Sequence, residues 1–498
     1  MDLSTILLTI VICLVLFWIR WRIWKMNIFQ RYGIPGPKAN FITGNLSEFI
    51  KKKNKCFAEW REKYGNIFGF FLGGKPCIAC FDTELIKLLQ IKEFKIFSNR
   101  DVLLPDAGIS HKLVNHALPL AKDKNWKNMR SILTFCFSSA KIKKMCNLIS
   151  DSIQTFMEKI QKQKLKPFDI ADFYKKLTFD IICRITFGIK TNVQNEETNK
   201  FVNSVHKIFT VDFDILVTLS ICFPEFEPIP TYIRRIKDVI IDTMNYPSFK
   251  FVFESIQKFV STRKETRYHS SDILQIMIEA EDDTNPIKSL TEKQIIANAV
   301  TFLAAGYDTS SSALSFCSYR LAQNPEIQEK VRLEINENVK NNKSIEYADL
   351  MNFKYLDYVI SETLRLHPVS ALTVNRICSE DFKYKDITIP RGTTIIFPLP
   401  SLHTNESFWQ EPEKFNPDRF LHKNEVTNDS LIYQPFGAGP RSCIGVRLAQ
   451  TVMKLTLANL IRYFKIELHG NSDIEEDNSL FVIHPKNGVN IKVFPITS

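Results

Sequence analysis

Apolar and polar positions along the chain fall into a few distinct patterns. The first is unbroken: Leu3 to Ile19, LSTILLTIVICLVLFWI, carries no charge. As a helix rising about 1.5 Å per residue it spans roughly 25 Å, close to the hydrocarbon thickness of the thin endoplasmic reticulum bilayer. RWRIWK follows, with Arg20, Arg22 and Lys25, and Trp18, Trp21 and Trp24 suit a membrane–water interface. Only Met1 and Asp2 precede the run, and no small-residue cleavage site comes after it, so a cleaved signal peptide is disfavoured. The pattern predicts a retained single-pass anchor over 3–19, with residues 1–2 lumenal, a basic and Pro/Gly linker over 20–38 ending in GIPGPK, and one domain over 39–498. Basic residues after the span predict that the domain faces the cytosol.

The second pattern is helical. TEKQIIANAVTFLAAGYDTSSSALSFCSYRLAQ opens with a Thr291/Gln294 capping box and stays apolar on most faces to about Gln323, which predicts a long helix through the core. Leu448, Val452, Leu455, Ala458 and Ile461 recur at helical spacing in a second segment. Strand-like pieces are fewer: NIFGFFLGGKPCIACF, ITIPRGTTIIF and GVNIKVF. Without an alternating strand–helix series, a doubly wound sheet is excluded. The fold class is mainly α with small β-sheets, a single large helical domain behind the anchor. The Phe-, Ile- and Pro-rich stretch around 211–246 reads equally as an ordinary packed loop and as a lid or second membrane contact.

Composition narrows the class. Of 498 residues, 45% are apolar and 39 are Phe, enough for a large core. The net charge of +11 suggests lipid headgroups or an acidic protein as partner. No basic run interleaved with aromatics supports nucleic acid. Eleven scattered cysteines argue against a secreted disulfide framework. Cys77 and Cys80 have CxxC spacing but no complementary pair, so they read as part of a buried strand.

Four clusters carry candidate chemistry. FGAGPRSCIG, Phe436 to Gly445, holds one thiol, Cys443, in a glycine-rich loop just before a helix, where the dipole and free N–H groups favour a thiolate. AAGYDTS interrupts the long helix with Gly306, Asp308 and Thr309. A buried acid there suits a proton path, and a packing notch with a back-bonded Thr is an equal reading. VISETLRLHP sets Glu362 and Arg365 at i,i+3, with Arg419 in FNPDRF as a further arginine. WKNMR sets Trp126 and Arg130 at i,i+4.

In this order and spacing, AGYDT, ETLR, PDRF and FGAGPRSCIG resemble the cytochrome P-450 superfamily of haem-thiolate monooxygenases, over nearly the whole chain. FWQEPEKFNPDRF resembles the animal microsomal, xenobiotic-metabolising type. The resemblance implies haem b with Cys443 as the axial thiolate ligand of its iron. It implies Gly439 and Gly445 for close approach to the porphyrin, Phe436 shielding the sulfur, and Trp126, Arg130 and Arg441, with Arg376, at the propionates. Glu362, Arg365 and Arg419 match a structural triad. Gly306 would leave room for dioxygen, and Asp308 and Thr309 would relay protons. Electrons would come from NADPH through a flavoprotein reductase, with cytochrome b5 as a possible helper. Lys122, Lys124, Lys127, Lys141, Lys143 and Lys144 would steer such a partner or simply form a solvated face. A lipophilic substrate would meet the loop 101–121, the 205–250 region, Phe302 to Ala305, Val369 to Thr373 and Phe481. A haem-thiolate isomerase or dehydratase, and a non-catalytic haem- or steroid-binding protein, are the competing readings; the acid–Thr pair counts against both.

Overall fold

The computed structural model describes residues 2–496 apart from 102, 104–111, 197–198, 207–214, 244–248, 267–271, 282–288, 340–342, 371, 373, 422–430, 471–472 and 478–481. Much of the 101–121 loop, parts of 205–250, and positions 371, 373 and 481 of the expected substrate pocket therefore lie outside the described residues. The chain divides into two compact units, Met1–Gly108 with Asp212–Lys237 and Val374–Ser401, and Ile109–Val211 with Asp238–Thr373 and Leu402–Ser498.

The first unit carries the apolar N-terminal helix and two of the three small sheets described. The apolar helix is Leu3–Met26, its N-terminus capped by Asp2, which accepts from the Thr5 N–H at 3.0 Å. It runs past the expected 3–19 span, because Arg20 to Met26 are good helix formers with no breaker among them. Continuous apolar runs, buried on both faces, and the Gly73–Gly74 turn make an antiparallel hairpin of Ile67–Leu72 and Lys75–Cys80. Thr394–Ile396 adds in parallel to Lys75–Cys80, and Asn375–Ile377 pairs antiparallel with Thr394–Ile396. Cys77 and Cys80 are buried strand residues, and burial pushes the Cys77 thiol up to about 12. A short hairpin, Phe382–Tyr384 with Ile387–Ile389, completes the unit's strands among the described residues.

The second unit is mostly helical. The long helix spans Glu292–Gln323, with the Thr291/Gln294 capping box in place. It is buried along most of its length and packs on the helix Ile170–Phe187, whose C-terminus is closed by Gly188 in the left-handed region. Ser139–Lys162 and Val446–Tyr463 pack on each other, and Val446–Tyr463 also meets the long helix. The C-terminal strand Asn490–Pro495 pairs antiparallel with Phe464–Leu468 and with Phe168–Asp169.

Candidate active site

The site is built on the loop that precedes Val446–Tyr463. Gly437 and Gly439 hold φ of 69° and 68°, a conformation that side chains rarely adopt. A turn closed by the Gly437 N–H on Gln434 O at 2.8 Å precedes them, and a 3-10 turn over Gly439–Arg441 follows. The Ser442 N–H donates to Gly439 O at 3.0 Å and the Cys443 N–H donates to Phe436 O at 2.8 Å. The loop is thus closed on itself around one thiol. Cys443 is exposed, whereas every other cysteine outside the anchor helix is buried. Burial pushes Cys56, Cys136, Cys317 and Cys378 up to about 12, which keeps those thiols protonated and inert.

Two guanidinium groups meet this loop. The helix Asp123–Cys136 presents Trp126 and Arg130 one turn apart. Arg130 Nη1 donates to Ser442 O at 2.9 Å. Burial lowers the pKa of Arg130, and the neighbouring Cys443 charge acts in the opposite sense. Arg441 lies over the Trp126 ring, 4.2 Å from its centroid, while its Nη2 donates to Ala121 O at 2.8 Å. Trp126, Arg130, Arg441 and Cys443 are thereby brought together. Phe436 joins them through its carbonyl. A Cβ built on Gly445, the residue before the helix, would meet only Phe137, at an ordinary 3.9 Å. The protein by itself does not demand glycine there. Arg376 belongs to the first unit, buried on Asn375–Ile377 with Nη1 donating to Asn375 O at 2.8 Å.

The donor set can be tested against a haem. Among the described residues, no group of three or more His, Cys, Asp or Glu side chains would hold a bare metal ion. A lone thiol at a helix start suits iron that brings its other ligands in a macrocycle. Arg130 and Arg441 suit the anionic substituents of that macrocycle. The residues fit the group.

On the long helix, Asp308 is buried and its Oδ2 lies 3.2 Å from Nε2 of His484. Thr309 Oγ1 donates back to Ala305 O at 2.7 Å. A Cβ on Gly306 would meet Cδ1 of Ile182 at 2.4 Å, so the helix Ile170–Phe187 packs closely against this glycine.

Glu362 is fully buried and saturated with donors. Arg365 reaches it with Nε to Oε2 at 2.7 Å and Nη2 to Oε1 at 2.9 Å. Arg419 Nε and the Asn416 N–H each reach Oε1 at 2.9 Å. Arg365 Nη1 then donates to His403 O at 2.8 Å. The expected triad is assembled, and it fastens the 403–419 segment to the helix Lys354–Leu366. Sequence reasoning missed His403 and His484. Each is an isolated histidine whose partner lies far away along the chain, so no local spacing marks it.

The model of the family described as Cytochrome P450 matches residues 34–491. Cytochrome P450 3A14 of Cavia porcellus is 34% identical over 457 residues, covering 89% of this chain and 88% of its own. Cytochrome P450 3A41 of Mus musculus is 34% identical over 480 residues, covering 94% and 92%. Cytochrome P450 3A31 of Mesocricetus auratus is 33% identical over 512 residues, covering 99% and 98%. With the exposed thiol of Cys443 closed in its glycine loop beside Arg130 and Arg441, and with this likeness from end to end, the chain belongs to the cytochrome P450 family of haem-thiolate monooxygenases.

Proposed function

We propose that this enzyme oxidises lipophilic small molecules, xenobiotics or steroids, at the endoplasmic reticulum membrane, with electrons from NADPH delivered by a flavoprotein reductase. The observation that carries the reading is the exposed thiol of Cys443, alone in its exposure among the cysteines outside the N-terminal helix, flanked by Arg130 at Ser442 O and by Arg441 over Trp126. Cys443 would be the axial ligand, and Trp126, Arg130 and Arg441 would hold the propionates. The haem, when bound, supplies dioxygen activation and the electron push of its thiolate ligand. The chain's own part is to orient, to exclude water and to move protons: Asp308 stores a proton in a buried place and Thr309 hands it on.

The anchor and the first unit support membrane attachment. The helix Leu3–Met26 is long and apolar enough to cross a membrane. In the same unit, Ile229, Tyr232, Ile233 and Ile236 are exposed at i, i+3, i+4 and i+7, an apolar stripe suited to lipid. Positive charge at Arg20, Arg22 and Lys25 supports a cytosolic domain. On the second unit, Lys122, Lys124, Lys127, Lys143 and Lys144 are exposed and would attract an acidic redox partner, the reductase or cytochrome b5, in a salt-dependent way.

The test is the carbon monoxide difference spectrum of the reduced, membrane-expressed protein, with Cys443→Ser beside it. The wild type is expected to give the red-shifted Soret band of thiolate ligation and to couple NADPH consumption to oxidation of lipophilic compounds. Cys443→Ser is expected to lose both. Retention of the shifted band by that variant would defeat the ligand assignment. No coupled consumption with any compound would defeat the monooxygenase cycle proposed for it.

A further inference from the structure

The buried carboxylate of Asp308 meets an imidazole from the far end of the chain. His484 sits on a C-terminal hairpin whose strands bridge at Glu476 and Pro485. Three contacts fix that hairpin against the rest of the second unit. The Ile483 N–H donates to Val369 O at 3.0 Å, Ser312 Oγ on the long helix donates to Ile483 O, and Val482 bridges to Ser370. His484 itself is clamped by its backbone: its N–H donates to Asp477 Oδ1 at 3.1 Å and its carbonyl accepts from the Asp477 N–H at 2.8 Å. One residue of the long helix therefore holds the hairpin at Ile483, and one turn earlier Asp308 meets the next residue of that hairpin. Nε2 to Oδ2 is 3.2 Å.

The burial of the pair is graded. The Asp308 side chain is 1% exposed and that of His484 is 13% exposed. A carboxylate shut away from water exchanges protons slowly unless a titratable group links it to solvent. Imidazole is the side chain whose ordinary proton affinity suits that task near neutral pH.

We propose that His484 is the solvent-side positioning residue of the Asp308–Thr309 proton path. The proposal rests on the reading of Asp308 and Thr309 as a relay. The imidazole takes a proton from a solvent hydronium ion, which leaves as water, and becomes imidazolium. Its Nε2–H bond then breaks as an O–H bond forms at Oδ2 of Asp308, leaving a neutral imidazole and a neutral acid, and no other reactant is needed. Asp308 passes the proton on through the Thr309 hydroxyl, which now rests on Ala305 O and must turn away from it. Other charged groups surround the pair. The hairpin contributes Asp477, Glu475 paired with Lys486 at 2.9 Å, and Glu476 paired with His367 at 2.8 Å. The helix Ile170–Phe187 contributes Asp172, whose charge reaches Tyr307 beside Asp308.

Three variants of the full-length haem enzyme in lipid nanodiscs separate the possibilities: Asp308→Asn, His484→Gln and His484→Ala. Gln still donates a hydrogen bond to Oδ2 but does not titrate. His484→Gln is expected to bind substrate with an unchanged spectral dissociation constant. Its kcat should fall on the order of tenfold, its solvent isotope effect should rise, and more NADPH should be lost as hydrogen peroxide. A second readout is independent of turnover. Nitrogen-15 histidine NMR should place the His484 resonance, identified by its loss in His484→Gln, among the nine histidines. Its Nε2 chemical shift should move in Asp308→Asn, because the carboxylate that partners Nε2 is gone. If His484→Gln turns over like the wild type while Asp308→Asn uncouples, the relay stands and the role of His484 is overturned. If Asp308→Asn itself couples normally, the relay reading fails and this proposal with it. An unmoved His484 Nε2 resonance in Asp308→Asn overturns the pairing even if His484→Ala does not fold.

Discussion

Nη1 of Arg22, near the end of the apolar N-terminal helix, lies 2.6 Å from Oε1 of Glu225, about two hundred residues further along the chain. The guanidinium is almost fully buried and makes three more hydrogen bonds, to the carbonyls of Phe41, Ile42 and Cys222. It also lies over the Phe223 ring at 4.5 Å, and Trp18 stacks on Phe226 with ring centroids 5.6 Å apart. Within the first unit, the anchor helix is therefore latched to the Pro-rich segment rather than trailing from it.

Arg22→Ala removes the counter-charge of Glu225 and strands the carbonyls of Phe41, Ile42 and Cys222. Removing one partner of a buried pair costs about 3–5 kcal/mol, somewhat less where one partner is partly wet, as Glu225 is. The expected outcome is unchanged membrane insertion with a loosened latch. Trp18 fluorescence should shift and protease should cut the Pro/Gly segment 33–38 of the linker faster. A double-mutant cycle with Glu225→Ala should give a coupling of at least about 1 kcal/mol. Additive effects would show that the ion pair does not hold the helix.

Glu362→Ala should abolish stable folding of the second unit. It would strand two buried arginines, one of them fully enclosed, and release the Asn416 backbone N–H. The expected loss is again about 3–5 kcal/mol, read as a lower melting temperature and poor haem retention. Glu362→Gln should be milder, since the amide oxygen still accepts from Arg365.

His403 gives a pH dependence with a definite sign. It is wholly buried, and its Nε2 accepts the Gln434 N–H at 3.1 Å, so it is held neutral, its pKa pushed down to about 3 by burial and by Arg365. The unfolded chain binds that proton at the ordinary value of 6.5, the folded one does not. This contribution to stability is complete above 6.5 and is lost as pH falls from 6.5 towards 3. The loss between pH 7 and pH 5 should be about 2 kcal/mol. Thermal melts at those two values should show a smaller difference in His403→Gln than in the wild type.

Gly306→Ala pits two effects against each other. Alanine gains up to about 1 kcal/mol in helix propensity, and the collision with Ile182 costs about 1–3 kcal/mol of overpacking. Net destabilisation is expected, and Ile182→Val in the same chain should relieve it. If the second substitution restores nothing in a melt, the packing role assigned to this glycine is wrong.

Some of this was legible from residues alone. The unbroken apolar run, the capping box at Thr291, the helical spacing after Cys443 and the glycines around it are local signals, set by backbone geometry and burial within one segment. They marked the apolar N-terminal helix, the long helix and the thiol loop, and the order of the motifs marked the family. The end of the anchor helix was not legible, because nothing in RWRIWKM interrupts helical hydrogen bonding. The neighbour of Gly306 was hidden too. A missing side chain faces in one direction only, and that direction depends on which helix packs there.

The sequence by itself determined what each segment is and which residue types carry the chemistry. Only the tertiary structure decided which of them meet. Arg22 finds Glu225, His403 finds Gln434 and Arg365, and Asp308 finds His484 across separations that leave no periodic trace. A buried charge or imidazole must be partnered, but the partner is supplied by whichever element packs against it, and that choice exists only after the chain has folded.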